Sequence, residues 1–374
     1  MTAGTQEREP GSRRPDPVLA AAGLDRLRAA VTAALTEFLD RQRATLAAMD
    51  PSLVPVADEV SALAEGGKRL RPAFAYWGWR GASNGTGEDD AAVLRAVAAL
   101  EFVHASALVH DDVMDGAQTR RGRPATHIGF ATRHGGADLT GDGGAFGTGA
   151  AILVGDLALV WSDELLGRSG LSPEALTRAR TVWDTMRTEV TAGQYLDLLR
   201  AAGGLPGAHG ALTVARYKSA GYTVQRPLQL GAAIAGAGVD VSEACTAIGL
   251  PLGEAFQLRD DVLGVFGDPA VTGKSADDDL REGKQTLLVA LAEERADESG
   301  RALLRDLLGN PDAGPEEFDA LRRLMETTGA RVRVEERITE RTALARAAIA
   351  SAPLAEDARA ALDALAVAAT TRTA

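Results

Sequence analysis

From about residue 18 onward the chain carries helical patterning with few interruptions, and this limits its fold more than any other feature. Long stretches are rich in Ala, Leu, Glu and Arg, and β-branched residues rarely alternate with polar ones as a half-buried strand would require. The expected fold class is all-α, a large bundle without an internal repeat of fixed period. Helices are expected over roughly 18–48, 52–64, 70–82, 88–115, 148–167, 173–200, 211–237, 241–266, 279–296, 315–327 and 329–368, the last broken near Pro353.

With 374 residues, 45% of them hydrophobic, the chain can close a sizeable core. Three Gly-rich and polar breaks interrupt it: "ASNGTGEDD" at 82–90, "GGADLTGDGGAFGTG" at 135–149 and "GGLPGAHG" at 203–210. Each is too short for a domain linker, so residues 18–374 read as one domain with mobile surface loops. The start, "MTAGTQEREPGSRRPDP", has no hydrophobic region and reads as a disordered tail over 1–17, either inert or a docking peptide.

The formal charge of −12 argues against nucleic acid or an anionic membrane as the main partner. Any anionic ligand must therefore be held by a local basic cluster. Cys245 is the one cysteine, so no intrachain disulfide can form; its Ala/Val-rich surroundings suggest a core position and a cytoplasmic setting. No uninterrupted apolar run approaches the roughly 20 residues of a membrane span, so none is expected.

The nearly apolar run "ALEFVHASALV" leads directly into "HDDVMD". Asp111 and Asp115 share a helix face, Asp112 lies about 100° away, and all three are expected to converge on one region. Like charges at that spacing, at a helix C-terminus, cost stability unless a cation neutralises them. Carboxylate ligands suggest Mg²⁺, which is usually held by one or two carboxylates together with phosphate oxygens. The alternative, a solvated acidic face, fits poorly behind an apolar run. A second helix ends similarly in "FQLRDDVLGVFGD", with Asp260 and Asp261, but Gly264 stands where the first pattern has Asp115. Across an antiparallel bundle two such ends can hold bridging metal ions between them.

Cations accompany the acids. "GGKRLRP" offers Lys68, Arg69 and Arg71 behind two glycines, and "TRRGRPATH" offers Arg120 and Arg121 just past Asp115. Lys218, Lys274 and Lys284 are further candidates. Each cluster alone could equally be solvated surface, or local charge compensation of the aspartates.

Taken in order, "GGKRLRP", "LVHDDVMDGAQTRRGRPATH", "GQYLD", "YKSAGYTVQRPLQLG" and "FQLRDDVLGVFGDPAVTGKSADDDLREGKQTLL" resemble the trans-isoprenyl diphosphate synthase (polyprenyl synthetase) family, in particular its bacterial geranylgeranyl diphosphate synthases. The resemblance spans residues 66–288. It implies helices around a central cavity, usually in a homodimer, and head-to-tail condensation of isopentenyl diphosphate with an allylic diphosphate. It further implies three Mg²⁺ ions coordinated by Asp111, Asp115 and Asp260, with Asp112 and Asp261 supporting them. Arg120, Lys218 and Lys274 would bind the allylic diphosphate, and Lys68, Arg71, His104 and Arg121 the isopentenyl diphosphate. Ser219, Gln257 and the Lys218 carbonyl would face the allylic cation, and Asp279 and Lys284 would fix a closing loop. Arg69 would be a supporting or surface residue.

A lone histidine on an apolar face is usually core, but His104, two turns before Asp111, matches the family's isopentenyl position. His110 has no assigned role, and His127 is expected to fix the loop after its motif. Two positions depart from the family pattern: Gly264 removes a carboxylate, and Ser219 replaces the usual Thr while keeping a hydroxyl. Activity is expected to survive both. One turn before Asp111, Ser106 and Ala107 are small where an aromatic would close the product pocket early, so the floor is expected deeper, at Phe102, Val103 or neighbouring helices. The product expected is C20, with longer or C15 chains as alternatives. A class I terpene cyclase and a noncatalytic regulatory subunit are the competing readings. The basic clusters oppose the first, and the intact first motif opposes the second. Trp77, Trp79, Trp161 and Trp183 are expected in the core or a dimer interface.

Overall fold

The computed structural model describes residues 17–83, 87–268 and 276–371, with side chains from residue 23 onward. The described residues are all-α apart from one hairpin of two two-residue strands. In order come α1 (Pro17–Met49), a 3₁₀ turn (Pro51–Leu53), α2 (Val54–Ala64), α3 (Leu70–Ser83), α4 (Asp90–Asp115), the antiparallel pair β1 (Thr119–Arg120) and β2 (Arg123–Pro124), and α5 (Thr126–Gly136). Then follow α6 (Gly143–Gly167), α7 (Pro173–Ala201), α8 (Gly207–Val214), a π-helical segment (Ala215–Gln225), α9 (Arg226–Ala235) and α10 (Val239–Phe266). The last are α11 (Asp278–Arg281), α12 (Leu287–Arg295), α13 (Glu298–Leu307), α14 (Pro315–Thr327), α15 (Ala330–Ser351) and α16 (Glu356–Thr370).

Several expectations need correction. The segment 135–149 is mostly helix: Asp142 accepts from the Gly144 and Ala145 amides at 3.0 and 3.3 Å, and this N-cap starts α6 inside the glycines. Helices α5 and α13 were not foreseen, and 279–296 divides into α11 and α12. The helix expected over 211–237 begins at Gly207 and changes to π geometry for eleven residues. The break near Pro353 is present between α15 and α16. The expected tail lies outside the described residues except for Pro17.

Two apolar clusters meet along α10. The larger gathers α1, α3, α4, α6, α7 and α9 and includes Cys245, Ile248 and Leu252 from α10. The smaller takes Ala255, Leu258, Val262 and Val265 of the same helix against α12, α14 and α15. In the larger cluster Phe102 of α4 packs against Phe38 of α1 and Trp161 of α6, with centroids 5.3 and 6.3 Å apart. Burial of a side chain of that kind stabilises by about 2–3 kcal/mol. Trp79 and Trp183 are also core, and Trp77 packs partly buried against it.

Both α4 and α6 are long and apolar enough to cross a membrane, although neither holds the unbroken run sought in the sequence. They differ in what covers them. The most apolar stretch of α4 is 72% buried, as in a core helix, whereas that of α6 is only 28% buried. Ile152, Leu153 and Val160 of α6 stay exposed.

Candidate active site

α4 stops where Gly116 adopts φ 65° and closes its N–H on the Asp112 carbonyl, so the aspartates occupy the final turns. They do not all converge. Asp112 is 1% exposed, and its two oxygens accept from Arg120 Nε at 2.8 and 3.1 Å, with a further bond from the same guanidinium. The hairpin folds Arg120 back: Arg121 and Gly122, at φ 53° and 73°, form its two-residue turn. Arg120 therefore neutralises Asp112 inside the protein. Asp111 and Asp115 face the other way.

Asp111 Oδ1 accepts from Lys218 Nζ at 2.8 Å and from Gln194 Nε2 at 2.9 Å. Burial alone would raise its pKa, but the Lys218 charge and these bonds outweigh it and hold Asp111 below the usual range. At Asp115 burial, then the Asp111 charge, outweighs the charges of Lys218 and Lys284 and pushes it up to about 6.

Lys218 also donates to Asp197 at 2.6 Å. Burial disfavours its ammonium, yet Asp111 and Asp197 together hold it firmly charged. Its position comes from the π-helical segment, which is pressed between α7 and α10. A Cβ on Gly193 would lie 2.7 Å from the Lys218 Cα, and one on Gly253 would lie 2.6 Å from the Ala220 Cα. Only bare backbone on both neighbours admits this segment. Gln194 and Asp197 belong to "GQYLD", a motif whose individual residues were given no role in the sequence.

At the end of α10, Gln257 donates to Asp261 at 2.7 Å. Burial raises Asp261 to about 7; Gln257 partly offsets this, while the charges of Asp279 and Asp260 add to it. Arg259 turns away and holds Glu335 through two bonds of 2.7 Å. Lys284 pairs with Asp279 and Glu282 at 2.9 and 2.8 Å. The Lys284 charge also reaches Asp111, Asp115 and Asp261, so both helix ends share one electrostatic site. Ser219 and Gln257 are half-buried, and Lys274 lies outside the described residues.

The cations gather on the other side. Arg71 stacks over Tyr222, 4.3 Å from its ring, and donates to the Tyr222 hydroxyl at 2.6 Å and to Thr223 at 3.1 Å. The same hydroxyl meets His104 Nδ1 at 3.2 Å. Burial, followed by the charges of Arg71, Arg121, Arg120 and Arg69, keeps His104 well below its ordinary pKa and therefore neutral. With Tyr222 donating to Nδ1, Nε2–H is left as a donor. Arg121 anchors on the Glu65 carbonyl at 3.2 Å beside the exposed Lys68. Arg69 is not on the surface: at 4% exposure it pairs with Glu101 at 2.5 Å and donates to the Ala64 carbonyl at 2.6 Å. Tyr222, Thr223 and Glu101 could not be assigned from sequence, since their partners lie 32 to 152 positions away.

His110 packs on α6, with Nε2 3.2 Å from the Ile152 carbonyl. His127 sits in the first turn of α5, and its Nδ1 is buried without a hydrogen-bond partner among the described residues. Ser106 is buried and Ala107 half-buried. Phe102 is held in its aromatic cluster.

The acidic half suits hard cations. All the uncompensated ligand atoms are carboxylate oxygens, and Asp115 and Asp261 are raised by burial among like charges, a deficit that Mg²⁺ would fill. Among the described residues no three His, Cys, Asp or Glu side chains form a ready-made metal cage.

An all-helical bundle that sets acidic helix ends near a cluster of guanidiniums suits a protein that handles anionic groups together with cations. The profile of the polyprenyl synthetase family matches residues 56–325. A solved geranylgeranyl pyrophosphate synthase from Corynebacterium glutamicum, complexed with isoprenyl diphosphate and magnesium, superimposes with a TM-score of 0.90 at 41% identity, over 94% of this chain and 99% of that one. The geranylfarnesyl diphosphate synthase of Aeropyrum pernix is 34% identical, over 71% of this chain and 77% of its own. The geranylgeranyl diphosphate synthase of Methanosarcina mazei is 32% identical, over 71% and 74%. The chain belongs to the polyprenyl synthetase family and is a trans-prenyltransferase.

Proposed function

We propose that the protein condenses isopentenyl diphosphate with allylic diphosphates, in the presence of Mg²⁺, to make geranylgeranyl diphosphate. The observation that carries this reading is the division of the site. Carboxylates raised by burial and like charge lie on one side, and Arg71 and Arg121, backed by the buried Arg69 and by Arg120, lie near a neutral His104 on the other.

Asp111, Asp115 and Asp260 would hold Mg²⁺, three ions in all, which supply charge to the departing diphosphate when bound. Lys218 and Lys274 would grip the same diphosphate, with Arg120 contributing what its bond to Asp112 leaves free. Lys68, Arg71, Arg121 and the Nε2–H of His104 would hold the isopentenyl diphosphate. As the C1–oxygen bond of the allylic substrate breaks, Ser219, Gln257 and the Lys218 carbonyl face the cation, and burial excludes water. The isopentenyl double bond attacks C1 and forms the new carbon–carbon bond. A C2 proton then leaves to the freed diphosphate. No side-chain base is needed.

Small side chains at Ser106 and Ala107 support a C20 product. Incubating the protein with isopentenyl diphosphate, each allylic primer and Mg²⁺, then sizing the dephosphorylated products, should give geranylgeraniol; farnesol alone would overturn the length assignment. Ser106→Phe should shift the products toward C15.

The exposed apolar face of α6, continued by Tyr195 and Leu198 on α7, supports a homodimer, and light scattering should read twice the chain mass. Residues 18–374 would form the synthase domain. Buried, reduced Cys245 suits a cytoplasmic setting.

A further inference from the structure

α4 and the π-helical segment meet at two rungs. Asp111 bonds Lys218 at one, and two turns earlier on the same face of α4 His104 meets Tyr222 at the other. One stretch of backbone therefore reaches both diphosphate sites, with Lys218 on the allylic side and Tyr222 on the isopentenyl side.

The Tyr222 hydroxyl is the atom that Arg71 and His104 share. Arg71 Nη2 lies 2.6 Å from it and His104 Nδ1 3.2 Å. A guanidinium can only donate, and a phenol has a single proton to give. That proton is not needed toward Arg71, so it points at Nδ1, which must be the bare nitrogen of the imidazole; the ring keeps its own proton on Nε2. Burial, followed by the neighbouring guanidinium charges, agrees with this by keeping His104 neutral. Without the hydroxyl either nitrogen could carry the proton, and a bare Nε2 would repel an anion. Arg71 has other holds: it stacks over the Tyr222 ring at 4.3 Å and donates to Thr223 at 3.1 Å. Both can persist over a phenylalanine ring, so removing the oxygen alone isolates the link to His104.

We propose that Tyr222 is a positioning residue of the isopentenyl diphosphate site: its hydroxyl accepts from Arg71, donates to His104 and so fixes His104 as an Nε2–H donor to the diphosphate. The inference rests on the reading of Arg71 and His104 as isopentenyl diphosphate ligands.

Steady-state kinetics test it, with thermal melts to verify folding and ¹⁵N shifts of labelled histidine to read the tautomer. The unaltered protein should show His104 as the Nε2–H form, and Tyr222→Phe should turn it into a mixture. The same substitution should raise the KM for isopentenyl diphosphate about tenfold, the loss expected for one hydrogen bond to a charged group, with little change in the KM for the allylic primer. On a His104→Ala background it should have no further effect, because the hydroxyl acts through the imidazole. An Nδ1–H tautomer in the unaltered protein, an unchanged isopentenyl KM or an equal rise for both substrates in Tyr222→Phe, or additive losses in the double variant would each overturn the proposal alone. Failure of the unaltered protein to consume isopentenyl diphosphate, or an unchanged KM in His104→Ala, would overturn the underlying reading of the site with it.

Discussion

The ends of α4 and α10 carry almost the same residues, yet the protein treats them differently. On α4 two of the three carboxylates are matched by side chains fixed in the fold, Asp112 by Arg120 and Asp111 by Lys218 and Gln194, while Asp115 is pushed up to about 6. On α10 Asp261 accepts from the Gln257 amide and feels the Lys284 charge, while Asp279 and Asp260 work against it. Asp111 is accordingly held below the ordinary carboxylate range while Asp261 is raised to about 7. A shared motif therefore does not imply a shared charge state. Asp111 and Asp112 are matched within the fold, whereas Asp115 and Asp261 are left raised by burial.

Asp111→Ala should have the largest effect, since it removes a proposed metal ligand and leaves Lys218 with Asp197 alone. A fall in kcat/KM on the order of 10³ is expected. A fall of less than tenfold in steady-state assays would show that the α4 end is not the main metal end.

Arg120→Gln should act on stability. It strands Asp112, which is 1% exposed, and breaking such a buried pair costs about 3–5 kcal/mol. Thermal melts should show it clearly, whereas Gln257→Ala at the other end should cost only about 1 kcal/mol. Equal losses would erase the contrast.

The smallest effect concerns His104. Its folded pKa is depressed, so on acidification the unfolded chain binds a proton that the native protein refuses, and stability falls once pH drops below the unfolded value. Near neutrality there is no effect. Imidazole resonances followed by NMR should show His104 still neutral at about pH 6, below its unperturbed value near 6.5; titration at that value would mean that His104 is not buried beside the guanidiniums.

Much of the architecture was legible because helix periodicity and caps are local. The stop at Gly116, the cap at Asp142 and the break at Pro353 each depend on a few neighbouring residues. Even so, the cap at Asp142 was overlooked beneath the glycines that follow it. The π geometry of 215–225 was hidden for a different reason: it is imposed by close approach of Gly193 and Gly253 from helices on either side.

The site divides the same way. The sequence determined which groups are present, two aspartate-bearing helix ends and two basic clusters, because their residue types and spacing lie within single segments. Only the tertiary structure decided what each group does with its charge. It turned Asp112 inward onto Arg120, buried Arg69 on Glu101, and linked Arg71 to His104 through Tyr222. These outcomes depend on burial and on partners distant in the chain, and electrostatic energy in a protein is set by exactly such distances and exposure, not by order along the sequence.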